Sequence, residues 1–445
     1  MSTIATPALP RASLGVIFLV LFLDLVGFSI LFPLYPQMLD YYLHHHPGVL
    51  GPVMAWVDGT FPSATPLQRS ALFGGLLGGV YSLLQFIAAP FWGRISDRVG
   101  RRPVLLLSLC GSVIAYVLWM VAGSFTVLLI SRLLAGVVGG AAVMASAAVA
   151  DSTPTPAARA KGMALVGMAF GLGFILGPVI GGLTAAQAIR IDQGGLAAWG
   201  FNPFSTPAAI AAALSLGNLL WALRSFHETL PPERRSIRGE GERTANPLKL
   251  FTATHLGATI VMLNVVVLLH TGLFSGMEST LGFLATERLA FTPRDIGYLF
   301  GLMGFIAALM QGLVFRRLAP RLGAKPLAVL GFALLAPGFA LIALVDGHPG
   351  LGLLVLGIVV LAAGTGLVFP ALNTLVSLAA DERNQGFALG SFRSASALGR
   401  AIGPLVAAIA YFSWSPAAPY WIGAIGILVP LALVAMMTVA RPPKP

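Results

Sequence analysis

Gly93-Arg94-Ile95-Ser96-Asp97-Arg98-Val99-Gly100-Arg101-Arg102-Pro103 lies between two long apolar runs, one ending at Phe91-Trp92 and the next beginning at Pro103. Charged side chains are costly in hydrocarbon. Four arginines and an aspartate in so short a stretch therefore place it at a membrane surface. Glycine allows a tight reversal, and Pro103 suits the first turn of a following helix, where a missing N–H costs nothing. Short arginine-rich loops mark the cytoplasmic side, so this turn predicts sidedness for the rest of the chain.

The composition agrees. Of 445 residues, 57% are hydrophobic and only 10% charged, with mean hydropathy +0.87. Soluble domains carry about 25% charged residues, so the chain reads as an integral membrane protein. The net charge of +11 is dispersed over loops between apolar runs. It is read as topology, and no nucleic-acid partner is expected. The lone cysteine, Cys110, excludes a disulfide within the chain. His44-His45-His46 are consecutive, cannot easily converge on one ion, and predict a solvated loop and no metal site.

A membrane-spanning helix needs about 20 apolar residues. Twelve segments qualify, at 13–36, 71–92, 103–123, 126–150, 161–186, 206–226, 254–284, 293–315, 324–344, 350–379, 384–412 and 419–440. With the N-terminus inside, 20 of the 27 Lys and Arg residues fall on cytoplasmic segments. Four, Arg69, Arg190, Arg288 and Arg294, fall outside, and Arg132, Arg393 and Arg400 lie within helices. This asymmetry predicts that both termini are cytoplasmic. Residues 37–70 read as a long outer loop and 227–253 as a solvated, mixed-charge linker. The linker divides the chain into an N-terminal six-helix bundle, 1–226, and a C-terminal one, 254–445.

The two bundles repeat. Gly100-Arg101-Arg102-Pro103 aligns with Gly323-Ala324-Lys325-Pro326, Lys161-Gly162 with Gln385-Gly386, and Gly177-Pro178 with Gly403-Pro404. The offsets are nearly constant at 223, 224 and 226. The predicted class is an all-α membrane protein of twelve transmembrane helices in two pseudo-symmetric bundles, an arrangement that places a transport site between the halves near the midplane.

Five ionisable residues fall inside predicted spans: Asp24, Arg132, Glu278, Arg393 and Arg400. Intramembrane charge marks function by default. Asp24 is 11 residues into the first span, roughly 16 Å along a helix, and Arg400 is comparably deep in the eleventh. Burial favours a protonated carboxyl, whereas a neighbouring arginine favours the carboxylate. A carboxyl exchanged between such surroundings would load and release a proton. Asp24 and Glu278 are therefore proton-carrying candidates, with Arg132 and Arg400 as tuning partners. Phe28, Tyr35, Gln85, Asn264, Gln311, Asn373 and Arg393 are candidates to line a substrate cavity. For the polar amides, ordinary interhelical hydrogen bonds are the competing reading. Gly173, Gly177 and Gly181 share one helix face, a pattern that lets backbones touch in lipid.

Several of these stretches resemble the major facilitator superfamily, and within it the twelve-helix drug/H+ antiporter branch. Gly93 to Arg102 matches the family's loop signature G-x-x-x-D-R-x-G-R-R at Gly93, Asp97, Arg98, Gly100, Arg101 and Arg102. Gly173-Phe-Ile-Leu-Gly177-Pro178-Val-Ile-Gly181-Gly182 is similar to the antiporter signature of the fifth helix. Arg132 in Leu128–Gly136 resembles the family's fourth-helix arginine motif, and Leu23-Asp24-Leu-Val-Gly27 with Pro33-Leu-Tyr-Pro36 resembles the first helix of tetracycline-efflux-like members. The resemblance implies that the Gly93–Arg102 stretch is a latch that closes the cytoplasmic side in one conformation. It also implies a proton-coupled antiporter that exports a small amphipathic or drug-like molecule by alternating access, as a monomer in a bacterial inner membrane. Uniport or symport of a metabolite, or movement of a lipid-like substrate, is the alternative on the same fold. The energy source would be a proton gradient, with no cofactor. No Gly-x-x-x-x-Gly-Lys-[Ser/Thr] is present to suggest ATP-driven transport, and no nucleophile elbow or His-Glu-x-x-His suggests an enzyme.

Overall fold

The computed structural model describes residues 14–62, 65–153, 156–185, 195, 199–230, 235, 257–380 and 385–437. Most of the 227–253 linker lies outside the described residues. No water is available in a bilayer core to satisfy backbone N–H and C=O groups, so apolar runs of this length close their own hydrogen bonds as helices. In chain order these are α1 (Leu14–Ser29), α2 (Tyr35–His45), α3 (Gly51–Thr60), α4 (Pro66–Val99), α5 (Arg101–Met120), α6 (Phe125–Val138), α7 (Ala141–Ser152), α8 (Pro156–Ala185) and α9 (Ser205–Ser225). The second half holds α10 (Ala258–Leu289), α11 (Pro293–Leu309), α12 (Arg316–Leu322), α13 (Ala324–Leu344), α14 (Leu351–Ala379), α15 (Gln385–Ser413), α16 (Ala418–Gly426) and α17 (Leu428–Met436). Among the described residues, 11 continuous stretches are long and apolar enough to cross a membrane. The 30-residue α8 takes the remaining place, which completes twelve spans.

The two halves are pseudo-symmetric in their contacts. α1 packs on α8 as α10 packs on α15, and α5 on α6 as α13 on α14. Between the halves, α4 packs on α15 and α8 on α11, two contacts that exchange when the halves exchange. The starts of α4 and α11 carry the same device. Thr65 and Gln68, then Thr292 and Asp295, form capping boxes that satisfy the first free N–H groups, each followed by a proline at the first helical position. This repeat, Thr-Pro-x-Gln against Thr-Pro-x-Asp, is legible in the sequence once the helix starts are known.

Three expectations are corrected. The charged stretch 93–103 is not a loop. α4 runs on to Val99, α5 starts at Arg101, and Gly100 alone makes the turn, at φ 113°. Helical backbone satisfies itself whether or not its side chains are polar, so hydropathy marks the membrane boundary rather than the helix end. Gly323 (φ 82°) plays the same part between α12 and α13. The outer loop 37–70 is mostly helical, because α2 continues to His45 and α3 follows. Finally, the last span breaks at Ile427 and ends at Met436.

The fourth span is broken as well, at Gly139-Gly140. Its freed backbone groups find side chains on neighbouring helices. Trp92 Nε1 donates to Val137 O at 2.6 Å, Gln85 Nε2 to Gly139 O at 3.4 Å, and Ser108 Oγ to Val138 O while accepting from Gly140 N. A break at this depth is tolerated only with such replacement partners.

Candidate functional site

The interface between the halves is sealed at the end of the bundle that carries α3. A Cβ on Gly75 of α4 would collide with Ala408 of α15 and lie 2.6 Å from Pro404 O. Gly74 meets Leu39 and Phe283, and Gly282 meets Pro36 at 3.3 Å. On the other flank Gly182 of α8 abuts Pro293 and Gly297 of α11, and a Cβ on Gly297 would be 2.7 Å from Pro178 O. Helices this close require glycine on α4 at the first flank and on both α8 and α11 at the second.

Beneath that seal is a small cavity of about 40 Å³ between the halves. Its N-terminal wall comprises Phe28, Phe32, Tyr35, Gly74, Gly78, Tyr81 and Ser82, and its C-terminal wall Ser275, Glu278, Ser279, Arg400 and Pro404. The wall is aromatic on one side. Phe28 stacks on Tyr81 at 5.0 Å between centroids, and Phe32 stacks on Phe174 at 5.7 Å. The polar side is an ion pair, with Arg400 Nη1 3.4 Å from Glu278 Oε2. Arg400 also lies over the Phe174 ring at 5.2 Å. Its guanidinium therefore bridges the halves, held by a carboxylate in one and an aromatic face in the other.

The remaining ionisable candidates are placed differently. Asp24 on α1 is half-buried and makes no hydrogen bond or ion pair with a described residue. Arg132 is buried. It donates to Ser131 Oγ at 2.9 Å and lies over the rings of Trp119 and Tyr116, and no carboxylate among the described residues pairs with it. Arg393 Nη1 donates to Ser146 Oγ on α7 at 2.9 Å.

Of the predicted cavity residues, Phe28 and Tyr35 line the cavity, and Gln85, Asn264, Gln311, Asn373 and Arg393 are absent from its wall. Gln85 serves the α6–α7 break. Asn264 Nδ2 donates to Ser391 Oγ at 3.0 Å and ties α10 to α15. Asn373 Nδ2 donates to Phe369 O of its own helix at 2.8 Å. Gln311 lies in the π-helical turn Met310–Phe315. The small residues Gly74, Gly78 and Ser82, facing Ser275 and Ser279, were not singled out in the sequence. Their signal is a four-residue spacing of small side chains on α4 and again on α10.

The glycine motif of α8 faces two ways. Gly173, Gly177 and Gly181 pack on α1 at Leu25, Ser29 and Ile30, whereas Gly182 packs on α11. Ser29 Oγ donates to Gly173 O at 2.9 Å and stitches the contact. Gly399 and Gly403 of α15 pack on α10 in the equivalent place.

At the opposite end, here termed the hinge end, where Gly100 turns the chain from α4 to α5, Arg101 is the centre of the charged cluster. It pairs with Asp97 at 2.6 Å and with Asp151 at 2.9 Å, and donates to Ser96 Oγ. Arg102 Nη2 donates to Leu223 O at 2.8 Å. Glu228, which the sequence places at the start of the linker, caps α5. Its carboxylate accepts from the backbone N–H of Arg101 at 2.8 Å, Arg102 at 3.2 Å, and Thr229 and Leu230 at 3.0 Å each. A carboxylate is favoured at a helix N-terminus by the free N–H groups and the helix dipole. Gly93 and Arg98 complete the motif, with Arg98 exposed.

The model of the Major Facilitator Superfamily matches residues 17–314 and again 266–445. The mouse protein named major facilitator superfamily domain-containing protein 10 is 36% identical over 428 residues, covering 91% of this chain and 88% of that protein. The class B tetracycline resistance protein of Escherichia coli is 30% identical over 397 residues, 88% of this chain and 92% of that protein. Among solved structures, the human organic anion transporter MFSD10 (TETRAN) is 33% identical with a TM-score of 0.76, covering 96% of this chain and all 100% of that one. The chain belongs to the Major Facilitator Superfamily and is a multi-pass membrane protein.

Proposed function

We propose that this member of the superfamily is a proton-coupled antiporter that exports a small amphipathic molecule by alternating access. The observation that carries the reading is the Glu278–Arg400 pair in the wall of a cavity between the halves. Protonating Glu278 removes the charge that holds Arg400. The guanidinium is then free for an anionic group on the cargo, while Phe28, Phe32, Tyr35 and Tyr81 offer flat apolar contact. Proton and cargo thus compete through one arginine, which is what exchange requires. Asp24, on the opposite half and without a charge partner among the described residues, is the second candidate carrier. The tetracycline-resistance relatives support export, and the human relative described as an organic anion transporter supports a cargo bearing negative charge.

The hinge end, with its arginine cluster, is the cytoplasmic end in this reading, and both termini lie there. That orientation suits a bacterial inner membrane and rests on the 20-to-4 division of basic residues. The cavity is sealed on the outer side and is too small for a drug-sized cargo, since ligand pockets run to about 300–1,000 Å³. The conformation is therefore an outward-closed one.

The test is flux of aromatic acids and cationic dyes in proteoliposomes under an imposed pH gradient. Glu278→Gln should keep downhill flux but lose accumulation driven by the gradient. Unchanged gradient-driven accumulation in both Glu278→Gln and Asp24→Asn would sink the proposal.

A further inference from the structure

Arg393 and Ser146 join the two halves at a place the central pair does not reach. Arg393 is on α15 and Ser146 on α7, 247 residues apart, and the donor–acceptor distance is 2.9 Å. The other side-chain hydrogen bonds described above stay within one half. Arg393 precedes Arg400 by seven residues, two turns or roughly 10 Å along α15 on nearly the same face. Because α15 starts at the hinge end, Arg393 stands between that end and the cavity.

Its partner is a weak one for a full positive charge. Ser146 Oγ already donates its proton to Ala142 O at 2.8 Å, so it offers Arg393 only a lone pair. No carboxylate among the described residues is within ion-pair distance of Arg393. A guanidinium that is half-buried between helices and satisfied by one neutral oxygen gains much more from a carboxylate, which accepts two parallel charge-assisted hydrogen bonds.

We infer that Arg393 is a capture site for the anionic group of the cargo on the hinge-end path, and that occupying it releases the Arg393–Ser146 tie between the halves. Binding and opening are then one event: the carboxylate, phosphate or sulfonate that displaces Ser146 also removes a hydrogen bond that holds the halves together. Arg400, two turns deeper, is the next cation on the route. A neutral analogue of the same shape lacks the means to displace Ser146. This inference rests on the transporter reading and adds the first docking point of its cargo.

The experiment uses matched pairs of aromatic carboxylates and their carboxamides, for example 1-naphthoate and 1-naphthamide. Binding to the purified full-length protein is followed by calorimetry. The wild type should prefer the carboxylates by about tenfold or more, the range expected for a hydrogen bond to a charged group. Arg393→Gln should bring that preference close to one while leaving carboxamide binding within about twofold. Arg393→Lys should retain part of it. Ser146→Ala removes the competitor and should tighten carboxylate binding several-fold without affecting the carboxamides. A wild type with no carboxylate preference overturns the inference, as does a preference that survives in Arg393→Gln. Should Arg393→Gln fail to fold, unchanged preference in both Arg393→Lys and Ser146→Ala overturns it as well. Carboxylate-selective binding without proton-driven flux would remove the antiporter reading alone. Proton-driven flux without carboxylate preference would remove this inference alone.

Discussion

Gly75→Ala should open the seal at the α3 end. The added methyl would collide with Ala408 and stand 2.6 Å from Pro404 O, where ordinary contact begins at 3.4 Å. α4 and α15 must then part by roughly 1 Å, and overpacking of this kind costs about 1–3 kcal/mol. The cost falls only on conformations in which these helices touch. The balance between forms closed and open at the α3 end therefore shifts by about 5- to 150-fold. The assay is labelling of a reporter cysteine in the cavity wall, Ser279→Cys, with a membrane-impermeant maleimide applied from the α3 side. Cys110, which is exposed, is first replaced by serine. Gly78→Ala is the matched control, because a Cβ there has nothing within 4 Å. Gly79→Ala should be intermediate, since its methyl meets only the Leu405 side chain and no backbone. Equal labelling rates in the parent and Gly75→Ala would refute the closure argument, and so would faster labelling in Gly78→Ala.

Glu228→Gln should lower stability in detergent by about 1–3 kcal/mol, read as an earlier thermal midpoint, because four N–H donors lose a charged acceptor; an unaltered midpoint counts against the cap. Gly177→Ala places a methyl against Ser29 Oγ and 2.7 Å from Val26 O. It should reduce the folded yield by gel filtration, and full recovery of a monodisperse peak would show that α1 and α8 can separate freely. Trp119→Leu removes a fully buried ring beneath Arg132 and should destabilise by about 3 kcal/mol or more. A smaller loss in an Arg132→Met background than in the wild type would confirm that the two side chains are coupled.

Much of the fold was legible because hydropathy reports the solvent. Twelve apolar runs became twelve spans, and the Gly100 and Gly323 features fell where their offset placed them. Two of the errors share one cause. α2 beyond Pro36 and α4 beyond Trp92 carry polar side chains on backbone that is still helical, and hydropathy does not read hydrogen bonds. At the site, Glu278 and Arg400 announced themselves as charge within apolar runs, but their pairing depended on helix rotation. Glu228 looked like the first residue of a solvated linker, since its partners on α5 are 127 and 126 positions away. Arg393 was visible as an intramembrane arginine, whereas Ser146 gave no signal at all, being one small residue in the Ala-rich run of α7.

The two glycine hinges also set how freely each half can drift in sequence. Gly100 is constrained twice, by a positive φ and by the Glu228 carboxylate, which occupies the space any side chain would need. Gly323 shares the backbone constraint but faces open space. With ψ of 160° at Gly100 and 170° at Gly323, both positions lie in a region open essentially to glycine alone, so a side chain is strained at either and at 100 must also displace Glu228. Among variants selected for activity, both hinges should therefore stay glycine, with the penalty for a side chain greater at the first unless position 228 changes with it.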